Sequence, residues 1–125
     1  MSSSHDLENG KRLVRQLFDI IYGTSIEAID GIDALVAEDY VQHNPRAEQG
    51  REGLRRFLNI IVKNPELNPA DTRSVTFIAE GDMVVRQEMR EEGMLVDIFR
   101  VHDGKLQEHW DAFRFAPGAR VIPGF

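Results

Sequence analysis

The sequence predicts an α+β fold: three N-terminal helices packed on a curved, mainly antiparallel β-sheet, forming a cone that encloses a cavity. Three observations carry that prediction. Apolar residues recur at spacings of three and four in segments up to Lys63, the period of helices with one buried stripe. From Asp71 to Phe115 they alternate mostly with polar residues, the period of strands. Within that second half, Glu80-Gly81-Asp82, Glu91-Glu92-Gly93 and Asp103-Gly104 mark turns at short intervals, so four strands follow one another as a meander.

Residues 1–5 read as a disordered start. The helical pattern runs from Asp6 to Tyr22, with Leu7, Leu13, Leu17, Phe18 and Ile21 on the stripe, and Gly23-Thr24-Ser25 ends it. A second, short helical piece covers Ile29–Ala37, where Asp30 and Asp33 read as early-turn charges. Tyr40–His43 reads as a short strand. Asn44-Pro45 terminates it, because the residue before proline is pushed out of the helical region. The third helix runs from Arg51 to Lys63 on Leu54, Phe57, Leu58, Ile61 and Val62. A loop follows over 64–69, and then the strands Asp71–Ala79, Met83–Arg90, Met94–Val101 and Lys105–Phe115. The last ten residues, Ala116–Phe125, hold two prolines and two glycines and read as an extended tail. The whole chain, 1–125, is one domain.

Hairpin register decides which side chains share a face. Three-residue loops, with Gly93 and Gly104 as left-handed bulge residues, set Gln87 opposite Asp97 and Asp97 opposite His109. Directly opposed side chains have Cβ atoms about 4.5–5.5 Å apart, close enough for this row to hydrogen-bond. The inner wall then holds Val85, Gln87 and Met89 from one strand, and Leu95, Asp97 and Phe99 from the next. His109, Asp111 and Phe113 complete it. A polar row in an apolar wall suits a small-molecule site. The plainer alternative is a satisfied Asp–His pair that only fixes the register. On the other face, Val96, Ile98 and Trp110 form an apolar centre ringed by charge, among them Arg86, Glu88 and Arg90. That pattern predicts a homodimer contact through the outer sheet face.

Asp111, His109 and Asp97 are the catalytic candidates, in that order. A carboxylate orients a histidine ring, histidine carries protons near neutral pH, and a desolvated aspartate beside Leu95 and Phe113 can act as acid or base. His43 and Tyr40 are candidates for substrate binding, with Gln87, Met89, Val85, Leu95, Phe99 and Phe113 as wall. No spacing motif supports a metal site, and no cofactor motif or phosphate loop is present.

Composition narrows the classes further. There is no cysteine, which excludes a disulfide framework and a thiolate metal site and fits a cytoplasmic location. The net charge of −6 argues against nucleic-acid binding. No apolar run is long enough to span a bilayer, and the N-terminus lacks the apolar core of a signal peptide, so no membrane role is expected.

The runs Tyr40-Val41-Gln42-His43-Asn44-Pro45, Gly50-Arg51-Glu52-Gly53, Asp97-Ile98-Phe99-Arg100-Val101, Asp103-Gly104-Lys105 and Glu108-His109-Trp110-Asp111 resemble, in order, the SnoaL-like polyketide cyclase family. That family has the cone-shaped fold of nuclear transport factor two and ketosteroid isomerase. The resemblance covers about residues 7–115. It implies a dimer, a cofactor-free cavity and an aspartate acting as general acid/base in an aldol-type ring closure, with His43, Asp97, His109 and Asp111 lining the cavity. One departure stands out: many relatives carry a His-x-His pattern where this chain has Gln87 and Met89. The expected activity is therefore a cofactor-independent cyclase, isomerase or lyase acting on a small hydrophobic carbonyl compound. The alternatives are an epoxide hydrolase or dehydratase on the same fold, or a non-catalytic ligand-binding or dimerisation module. An epoxide hydrolase of this fold uses an Asp–Arg–Asp arrangement, and the predicted faces supply no inward arginine two residues from an inward acid.

Overall fold

A computed structural model describes residues 3–67 and 74–117. Helix α1 spans Ser4–Ile21, capped by Ser3, whose hydroxyl accepts the Asp6 N–H while the Asp6 carboxylate accepts the Ser3 N–H. This reciprocal cap draws residues 3–5 into order, where the sequence predicts none. A 3-10 turn, Glu27–Gly31, and a single turn of helix α2, Ile32–Leu35, lead directly into β1, Val36–Gln42. The second helix therefore ends two residues earlier than expected, and the strand begins four residues before Tyr40. Helix α3 spans Gly50–Lys63. The meander follows as β2 (Ser74–Glu80), β3 (Met83–Arg90), β4 (Gly93–His102) and β5 (Lys105–Phe115). The predicted strand residues 71–73, loop residues 68–69 and tail residues 118–125 lie outside the described residues.

The five strands form one sheet in the order β1-β5-β4-β3-β2, antiparallel except for β1, which runs parallel to β5. The helices lie on one face of this curved sheet. Leu13, Val14, Leu17 and Phe18 of α1, Ile29, Ile32, and Leu54, Leu58 and Val62 of α3 pack with Val84, Phe99 and Leu106 of the sheet. Gly10 is needed in α1 because a Cβ there would stand 2.8 Å from Val84 Cγ2. No described helix is long and apolar enough to cross a membrane.

The hairpin loops differ from the predicted ones, and the difference moves side chains between faces. Asp103 (φ 50°) and Gly104 (φ 75°) form a two-residue turn with both central residues left-handed, the type whose twist matches the strands. Glu91-Glu92 is likewise a two-residue loop, closed by the pair Arg90 and Gly93. In the first hairpin a bulge at Gln107 restores the parity. Leu106 opposes Val101 but Glu108 opposes Arg100, so His109 opposes Phe99 and still shares the inner face with Asp97. The β3–β4 hairpin has no such correction. All of β3 is turned over: Val84, Arg86, Glu88 and Arg90 face the helices, and Val85, Gln87 and Met89 face out.

Candidate active site

On the inner face, Arg86, Asp97 and Asp111 are cross-strand neighbours in one row, and His109 lies diagonally beside Asp97. His109 Nε2 is 2.8 Å from Asp97 Oδ1 and 4.0 Å from Asp111 Oδ2, while its Nδ1 is 2.8 Å from Gln42 Oε1. The ring is fixed by packing as well, with Phe99 at 4.6 Å and Tyr40 stacked at 6.4 Å between centroids. Asp97 and His109 are 4% and 6% exposed, whereas Asp111 stands open to solvent. Asn44 Nδ2 donates to Asp111 Oδ2 at 3.2 Å. The site is thus a sealed Asp–His pair with one carboxylate at its solvent side.

Burial pushes the Asp97 carboxyl above the usual carboxylate range, against the opposing pull of the His109 bond. Burial likewise raises the Tyr40 hydroxyl, helped by the charges of Asp97 and Asp111, so Tyr40 stays protonated. Its bond to Gln42 joins it to the same network. Among the described residues, buried Asp97 Oδ2 and Arg86 Nε have no hydrogen-bond partner, one an acceptor and one a donor.

Beside it lies a second buried cluster. Glu88, with no exposed surface, accepts from Arg86 Nη1 at 2.6 Å, Arg90 Nε at 2.5 Å and the Tyr22 hydroxyl at 2.9 Å. The Arg86 guanidinium also lies 3.8 Å over the Phe18 ring. Burial works to raise the Glu88 carboxyl, but the three hydrogen bonds outweigh it and hold it below its ordinary value. Burial next to that carboxylate pushes the Tyr22 hydroxyl up to about 12.

The sequence-predicted site residues divide three ways. Asp97, His109 and Asp111 come together, with Tyr40, Phe99, Leu95 and Phe113 on the same face. Gln87, Met89 and Val85 do not belong to the wall, because the two-residue Glu91-Glu92 loop sends them outward. His43 is also on the outer face: it stacks on Trp110 at 4.8 Å, and its Nε2 meets Glu108 Oε2 at 2.6 Å. Its predicted cavity position fails because β1 extends through Gln42, and period two from buried Tyr40 points Gln42 inward and His43 outward. Gln42, Asn44 and Arg86 are the site residues that the sequence did not single out. Arg86 also corrects the statement that no inward arginine lies two residues from an inward acid, since Arg86 and Glu88 are such a pair.

Ligand atoms of Asp97, His109 and Asp111 lie within 4.8 Å of one another, a donor set that a divalent cation could use. The direct Asp97–His109 bond favours a shared proton there, and the Arg86 charge beside Asp97 works against a divalent cation. A hollow of about 260 Å³ sits elsewhere, between the start of α1 and the β2–β3 and β4–β5 turns, lined by Leu7, Gly10, Val101 and Gly104, and it touches neither residue of the pair.

Comparison with known proteins agrees with this architecture. A structure described as a SnoaL-like polyketide cyclase, from Jannaschia sp. CCS1, superposes with a TM-score of 0.68 at 19% identity, covering 90% of this chain and 90% of the other. A structure described as a polyketide cyclase, from Bacillus cereus ATCC 10987, gives 0.66 at 19% identity, covering 90% and 78%. A structure described as a ketosteroid isomerase, from Kribbella flavida DSM 17836, gives 0.60 at 24% identity, covering 95% and 86%. At these identities the likeness is one of fold. No curated protein matches the sequence. The model of the SnoaL-like domain matches residues 14–109, most of the chain and all of the Asp–His pair, and the protein belongs to the SnoaL-like domain family.

Proposed function

We propose that this protein is a cytoplasmic, homodimeric acid–base enzyme that acts on a small hydrophobic carbonyl compound, as an aldol-type cyclase, isomerase or lyase. The observation that carries this reading is the buried Asp97–His109 pair with Asp111 4.0 Å away at the solvent side. Asp111 removes an acidic α-proton, and the pair behind it takes up and returns a proton as charge moves. Asn44, whose amide already reaches Asp111, is placed to donate to the developing enolate oxygen. Leu95 and Phe113 give the apolar wall beside it. The family's cyclases and isomerases support the reaction class. In a screen of carbonyl compounds, Asp111→Asn is expected to lower turnover about 10²–10⁴-fold with an unchanged circular dichroism spectrum. Turnover equal to wild type would sink the assignment.

One observation favours a second reading, water activation on an epoxide. Arg86 Nε and Asp97 Oδ2 are a buried donor and acceptor on side chains opposed across β3 and β4. Incorporation of labelled solvent oxygen into a diol product, with no carbonyl turnover, would select it.

The dimer is read from the outer face. Val96, Ile98 and Trp110 lie at its centre, with Ile78 58% and Met89 46% exposed beside them. Ile98→Glu is expected to give a monomer by light scattering. A mass unchanged from that of a wild-type dimer would reject this face.

A further inference from the structure

The amide of Gln42 has one orientation open to it. Its Oε1 lies 3.0 Å from the backbone N–H of Asn44, which can only donate, so the atom there is the carbonyl oxygen. The same oxygen is 2.8 Å from His109 Nδ1. Two acceptors make no hydrogen bond without a proton between them, so Nδ1 carries it. Gln42 is held in place by the Gln49 side chain, which donates to the Gln42 carbonyl at 2.6 Å and accepts its N–H at 2.9 Å. With Nδ1 protonated, Nε2 faces Asp97 Oδ1 at 2.8 Å, and that bond also needs one proton, on nitrogen or on oxygen.

We propose that Gln42 is a positioning residue that locks His109 in its Nδ1–H form, so that one proton is shared between Nε2 and Asp97 and is the proton the site exchanges with Asp111. Its meaning for turnover rests on the acid–base reading above, but its test does not. A substrate is not needed, because the two ring nitrogens give different ¹⁵N signals according to which bears hydrogen.

The experiment is a long-range ¹H–¹⁵N correlation spectrum of the full chain labelled at histidine, across the neutral pH range. Wild-type Nδ1 is expected at the protonated position throughout. Gln42→Met removes the acceptor at similar length. Nδ1 should then give up its proton to solvent, and the proton shared with Asp97 should settle on Nε2, leaving Nδ1 bare. Gln42→Glu keeps an acceptor oxygen and should keep Nδ1 protonated. A bare Nδ1 in wild type, or one that stays protonated in Gln42→Met, would overturn the proposal. If Gln42→Met does not fold, the wild-type and Gln42→Glu spectra still decide it. A negative result here with a turnover loss in Asp111→Asn would remove Gln42's role and leave the acid–base reading standing.

Discussion

Glu88→Ala is expected to destabilise the protein by about 3–5 kcal/mol, the range for breaking a buried ion pair from one side. Glu88 has no exposed surface and gathers Arg86, Arg90 and Tyr22, with Arg86 itself 4% exposed. Its removal takes from the Arg86 and Arg90 guanidiniums the buried carboxylate they share. Domains of this size have about 5–15 kcal/mol in total, so urea unfolding would show the variant close to its limit. Glu88→Gln keeps the shape and part of the hydrogen bonding and should lose less. The pH dependence follows from the sign of the shift. Glu88 is held below its ordinary value of 4.5, so its contribution is fully present above that value and is lost as pH falls through the lower folded-state value. The acid limb of the stability curve should therefore be shallower in Glu88→Gln than in wild type. A loss under about 1 kcal/mol in Glu88→Ala would mean that this cluster is no better than a surface ion pair.

That cluster also shows where the sequence was legible and where it was not. Helical and strand periods were enough for α1, α3 and the meander, because each element has one buried stripe or face. The start of β1 was hidden, since Val36-Ala37-Glu38-Asp39 does not alternate and pairs in parallel with a strand about seventy residues away. The faces of β3 turned on a single residue: Gly93 was read as part of the loop but is the first residue of β4. A signal was present in Arg86-x-Glu88-x-Arg90. Residues two apart share a strand face, and a cation–anion–cation series can satisfy itself when buried. Asp97 and His109 meet diagonally and not as the directly opposed pair the sequence predicts, because the Gln107 bulge offsets the shorter turn and keeps both on the inner face. Likewise, period two along β1 from a buried Tyr40 places Gln42 inward and His43 outward.

Asp97→Asn should separate stability from chemistry. The asparagine amide can donate to His109 Nε2 in place of the shared proton, so the 2.8 Å bond survives while the exchangeable proton does not. Turnover on any carbonyl substrate should fall about 10²–10⁴-fold, as for loss of a general acid–base group. Stability should move the other way. Burial raises the folded-state value of Asp97 above its unfolded one. Wild type therefore has its full contribution only below the unfolded value and loses it as pH rises through the folded one. The asparagine variant carries no such loss. It should match wild type most closely in acid and exceed it progressively towards alkaline pH, by thermal melts at a series of pH values. Parallel melting curves with reduced turnover would mean that Asp97 is ionised throughout and paired with a charged His109. Equal turnover with raised stability would mean that the buried pair is structural, and that Asp111 works without it.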